Sequence, residues 1–196
     1  LVEILKFGIL IKMIYILGGA SRSGKTLLAR RAVDEKKIPY FPLDALFGGL
    51  AGGAPQFGVT WNQAFIERAE KMWPILKPTL GFFFNEERDF LIEGDAILPK
   101  QIRDLINGEN QVRSCFIGYA ELNREEKFTH IRTHHQGERD WTKGIADSEL
   151  YEYVDEMIEF SKYLKEQCIL LDIPYFDISY DFQSPRNEAF NYLFGS

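Results

Sequence analysis

The chain has 196 residues, of which 45% are hydrophobic, and this suits one domain with a proper core. Its formal net charge of −6 argues against a nucleic-acid-binding surface and favours a small-molecule partner. Cys115 and Cys168 lie in apolar runs without C-x-x-C spacing, so they read as core thiols of a reducing compartment.

Residues 1–20 are mostly apolar but carry Lys6 and Lys12. A signal cleavage after Ala20 would cut through the glycine-rich stretch that follows the first strand, and Lys12 interrupts the apolar run, so neither a leader nor a membrane anchor is expected. Met13 stands immediately before that strand. The expectation is that 1–12 form an upstream extension, that 13–196 form one domain, and that the protein is cytoplasmic with no membrane partner.

Met13 to Leu17 carries no charge and reads as a strand buried on both faces. It runs into Gly19-Ala20-Ser21-Arg22-Ser23-Gly24-Lys25-Thr26, which matches the phosphate-loop pattern G-x-x-x-x-G-K-[ST] without departure. Gly19 and Gly24 let successive backbone N–H groups point at a polyphosphate. The helix that follows, Lys25 to about Asp34, adds its dipole, Lys25 adds a charge on the outer phosphates, and Thr26 supplies a hydroxyl for magnesium. All eight residues are therefore candidates for binding a nucleoside triphosphate, taken as ATP with Mg2+.

Further on, 38–43 reads as a short second strand with Asp44 just past it. The glycine-rich stretch from Phe47 to Gly58 reads as a loop. One helix is expected from about Asn62 to a break at Pro74, and a second from about Pro78 to Glu87. Phe90 to Asp95 is the third strand and its exit, 100–106 a short helix, and Val112 to Ala120 the fourth strand. A polar, Arg- and His-rich segment covers about 121–145. Asp147 to Gln167 is the longest helix, Ile173 to Ile178 the fifth strand, and Asn187 to Phe194 a last helix. This alternation implies an α/β fold in three layers, a five-stranded parallel sheet with helices on both faces.

Ligands of such sheets sit beyond the carboxyl ends of the strands. Asp44, Glu93, Asp95, Glu121, Asn123, Ser179 and Asp181 all fall there. Glu93 or Asp95 is the expected carboxylate partner of magnesium. Asp44, at the exit of strand two, is the candidate to take the acceptor's proton. The 121–145 segment is placed where a lid would close. Its Arg132 and Arg139 are the first choices to stabilise charge on the transferring group, beside Lys25. His130 and His134 are four residues apart but lack a well-spaced third ligand for zinc.

The loop Gly19–Thr26, a few residues after Met13, resembles that of the small P-loop kinases of the adenylate kinase and shikimate kinase type. Phe90-Leu91-Ile92-Glu93-Gly94-Asp95-Ala96-Ile97-Leu98-Pro99 also resembles a segment of the 2-phosphoglycerate kinase-like group, as does a long helix followed by Ile173-Pro174-Tyr175-Phe176. The Arg and His residues of the lid segment match no motif of that group. The resemblance implies ATP and magnesium at Gly19, Gly24, Lys25 and Thr26, an acceptor role for Asp44, and an adenine site near 180–185. The expected function is an ATP-dependent kinase of a small hydroxyl- or phosphate-bearing metabolite. A nucleotide-dependent regulatory protein and a phosphotransferase acting on a macromolecule stay open as alternatives.

Overall fold

The computed structural model describes residues 12–86, 88–106, 111–134 and 140–195. Five parallel strands form one sheet: β1 (Ile14–Gly19), β2 (Tyr40–Pro42), β3 (Phe90–Gly94), β4 (Val112–Gly118) and β5 (Tyr175–Asp177), in the order β2-β3-β1-β4-β5. Strand β1 is central and wholly buried, with Leu17 aligned to Glu93 on one side and Cys115 on the other. The strand order reverses around β1, and that is where an open parallel sheet forms a crevice at its carboxyl edge.

Two helix groups flank the sheet. Helix α1 (Lys25–Arg31) continues into a wider turn at Ala32–Lys36 and meets α7 (Ser184–Phe194), where the Arg31 guanidinium lies 3.8 Å from the Phe190 ring centroid. The other group is α3 (Phe65–Phe84), α4 (Pro99–Ile106) and α6 (Asp147–Leu170), with α5 (Arg124–Thr133) laid along α6. Phe128 and Tyr151 stack at 4.1 Å across the α5–α6 contact. Cys115 and Cys168 are free and buried.

Two elements differ from the sequence expectation. The stretch expected to be a loop from Phe47 is helical: α2 runs Leu43–Gly53. Each glycine costs a helix about 1 kcal/mol relative to alanine. Leu43 and Phe47, one turn apart and almost fully buried, offset this by about 1.5–3 kcal/mol each. Phe47 joins Val59, Met72 and Ala96 in a small cluster of its own.

The expected break at Pro74 is also absent, since α3 is one helix with Pro74 and Pro78 inside it. Its buried face, Phe65, Arg68, Ala69, Met72, Leu76 and Leu80, continues at helical spacing past both prolines. Packing along that whole face outweighs the backbone cost of the prolines.

Candidate phosphate-transfer site

Strand β1 ends in the phosphate loop, whose shape depends on left-handed backbone at three positions: Gly19 (φ 145), Arg22 (φ 57) and Gly24 (φ 90). A side chain at Gly19 would run into the backbone of Ile117 on β4. Gly24 then opens α1, with Phe182 and Arg186 packed against it. Lys25 is buried, and its ammonium donates to the Ala20 carbonyl at 2.7 Å. A lysine beside a glycine-rich turn of this shape suits an anionic ligand.

The neighbouring strand exits bring Glu93 and Asp44 within electrostatic reach of Lys25, with Asp95 beside them. The Thr26 hydroxyl donates to Glu93 Oε1 at 3.2 Å. Burial raises the Glu93 carboxyl above its ordinary range; Lys25 pulls it back, Asp44 pushes it up, the Thr26 hydrogen bond lowers it and Asp95 raises it. Asp44, in the first turn of α2, is exposed to solvent at the residue level, yet its carboxyl is raised as well, first by partial loss of hydration and next by Asp95, with Lys25 and Arg68 opposing. Asp95 instead faces Arg68, at 3.8 Å from its Nη1.

Arg68 is a residue that sequence reading did not single out. It is buried on α3, lies 4.8 Å from the Phe65 ring centroid and 5.0 Å from that of Phe47, and its Nε meets no hydrogen-bond partner among the described residues. The signal was an arginine one turn before buried Met72, in the middle of an apolar helix face.

The 121–145 segment is built on α5 and a short turn at Trp141–Gly144. All three guanidinium nitrogens of Arg132 are engaged away from the loop, with Asp147 Oδ1 and the carbonyls of Thr142 and Ile145, so this side chain joins the segment to the start of α6. Arg139 lies outside the described residues. The α5 side chain that does reach the phosphate loop is Lys127. It is buried, donates to the Arg22 carbonyl at 3.2 Å and stands 3.4 Å above the Tyr119 ring. Burial pushes its ammonium well below the ordinary lysine range, and Arg22 and Lys25 push the same way. Lys127 falls four residues before buried Ile131, the helical stripe that marks the inward face.

The loop also reaches toward the segment. Arg22 pairs with Asp140 at 2.8 Å in a buried contact and donates to the His134 carbonyl at 2.9 Å. Other polar residues at the strand ends serve local structure. Asn123 forms a capping box with Glu126, Glu121 pairs with Lys165, and Asp181 accepts from the backbone N–H groups that open α7. The Ser179 hydroxyl accepts from the Glu121 N–H. The 180–185 stretch, expected near the adenine, sets Phe182 against Gly24, and Arg186 stacks 4.1 Å from the Phe182 ring centroid.

Among the described residues, no group of three or more His, Cys, Asp or Glu side chains is placed to hold a metal ion. Thr26 and Glu93 nevertheless fit the sparse protein share of a magnesium site, in which phosphate and water supply the remaining oxygens. No described helix is long and apolar enough to cross a membrane.

No family model matches the chain, and no curated protein matches it. Solved structures do. A gluconokinase from Sinorhizobium meliloti superposes with a TM-score of 0.58 at 14% identity, covering 93% of this chain and 92% of its own. A shikimate kinase from Bacteroides thetaiotaomicron gives 0.52 at 18% identity, over 90% and 96%. A deoxyadenosine kinase from M. mycoides gives 0.50 at 14% identity, over 91% and 97%. The chain therefore has the fold of the small P-loop kinases, over nearly its whole length.

Proposed function

We propose that the protein is an ATP- and magnesium-dependent kinase, cytoplasmic, that phosphorylates a small metabolite. One observation carries this reading. Beside the phosphate loop, at the carboxyl edge of β1, β2 and β3, Asp44, Asp95 and Arg68 form a separate charged corner. A nucleotide switch has no use for the second corner, whereas a transferase needs somewhere to hold an acceptor.

In this reading the loop N–H groups and Lys25 hold the polyphosphate. Thr26 and Glu93, 3.2 Å apart, would hold magnesium, which supplies charge neutralisation on the phosphates when bound. Asp44 takes the proton of the acceptor hydroxyl, and its raised carboxyl is suited to that task. The acceptor oxygen forms its bond to the terminal phosphorus as the bond to the bridging oxygen breaks, and ADP departs. Arg68, buried against Phe47 and Phe65 and engaged by Asp95 and by the Trp61 and Gln63 carbonyls, braces this corner rather than offering a free face to the acceptor.

Calorimetric titration with MgATP, followed by ATP-consumption assays with small acceptors, tests the proposal. Binding lost in Lys25→Ala, with turnover that needs an acceptor, is the expected result. ATP turnover indifferent to every acceptor would move the protein to the regulatory class.

A further inference from the structure

Three consecutive carbonyls of the phosphate loop are each held by a different side chain. That of Ala20 accepts from Lys25, that of Ser21 from the Tyr119 hydroxyl, and that of Arg22 from Lys127. A trans peptide is planar, and its C=O and N–H point in opposite directions. Holding the Ser21 carbonyl therefore aims the N–H of Arg22, and holding the Arg22 carbonyl aims the N–H of Ser23. A nest for an anion is made of successive N–H groups turned to one concavity.

Lys25 is itself reserved for phosphate, which leaves Tyr119 and Lys127 as clamps that do not depend on the ligand. We propose that Tyr119 and Lys127 are positioning residues that pre-aim the Arg22 and Ser23 amides at a bound polyphosphate. This rests on the phosphate-binding reading of the loop.

The surroundings fit a fixed clamp. Tyr119 is fully buried just past β4, and its own N–H donates to the Ser161 hydroxyl on α6 at 2.6 Å. That hydroxyl pairs with the Tyr175 hydroxyl of β5 at 2.9 Å. The Lys127 ammonium rests on the Tyr119 ring, so one aromatic residue locates both donors. Arg22, between the two held carbonyls, adopts a left-handed conformation that a non-glycine residue rarely takes unaided. Its side chain is anchored as well, on Asp140.

The test compares wild type with Tyr119→Phe, which keeps the ring and loses one hydroxyl, and Lys127→Met, which keeps the stem and loses the ammonium. MgATP and magnesium triphosphate are each titrated calorimetrically, thermal unfolding is recorded, and the Arg22 and Ser23 amide resonances are followed in ligand-free protein. In Tyr119→Phe both ligands should weaken by the same factor, about fivefold, as expected for one hydrogen bond. Lys127→Met should weaken them further, and the two amide resonances should move in both variants.

A folded Tyr119→Phe that binds both ligands as wild type does, with those resonances in place, would overturn the clamp alone. A wild type that binds neither ligand would overturn the phosphate reading and the clamp with it.

Discussion

The Thr26 hydroxyl meets the Glu93 carboxylate at 3.2 Å, so the first turn of α1 and the end of β3 share one point of the cleft. That contact singles out Glu93 over Asp95 as the proposed magnesium partner, because Asp95 is turned to Arg68. Glu93→Gln should raise the magnesium concentration needed for half-maximal turnover by about tenfold or more. Asp95→Asn should leave that requirement close to wild type. Magnesium titrations at saturating ATP distinguish the two.

Asp44 lies in the first turn of α2, beside Lys25 and Asp95 in the electrostatics of the cleft. Removing its capacity to accept a proton should cost transfer about a hundredfold or more. Asp44→Asn should still bind MgATP, since the phosphate loop is untouched. Single-turnover transfer and calorimetry, run on the same preparation, separate the two effects.

The buried Arg22–Asp140 pair should show the asymmetry of buried charges. Asp140→Ala removes the carboxylate that offsets the buried Arg22 charge, though not its bond to the His134 carbonyl, and should cost about 3 kcal/mol, while Asp140→Ala combined with Arg22→Met should cost less than the two single losses added together. Urea unfolding of the ligand-free proteins gives the cycle. Strict additivity would mean that the pair holds nothing together.

Much of this site was legible because its parts are local or topological. Gly19 to Thr26 specify a turn, a charge and a hydroxyl within eight residues. A parallel sheet then obliges Asp44, Glu93 and Asp95 to gather at one edge, whatever the loops do. The helical state of α2 was hidden because it is stabilised by Leu43 and Phe47 packing on distant residues, against the preference of its glycines. Pro74 and Pro78 misled for the same reason. In the 121–145 segment, counting arginines pointed to Arg132, whereas the buried stripe through Ile131 turns Lys127 inward. Composition names which charges are present, and only the helix face decides which of them arrives.

Lys127 gives the site a dependence on pH. Its folded pKa is lowered by burial and by Arg22 and Lys25, with the Tyr119 ring beneath the ammonium. The folded chain thus holds this proton less tightly than the unfolded chain does. Lys127 therefore makes its largest contribution to stability above the unfolded lysine pKa, and that contribution is lost as pH falls through the lowered value. A bound polyphosphate favours the charged form, so MgATP affinity should fall as pH rises through the lowered value, and binding there should take up a proton. Calorimetry in buffers of different ionisation enthalpy measures that uptake. Lys127→Met should abolish it.

The transfer of phosphate is best tested with ATP labelled at its terminal phosphoryl group, incubated with purified protein, magnesium and pools of nucleosides, nucleoside monophosphates, sugar acids and phosphoglycerates. Label should appear in an organic phosphate with one pool, and should vanish from it in Asp44→Asn. Label that stays in ATP, or passes only to inorganic phosphate with every pool, would contradict a small-molecule kinase.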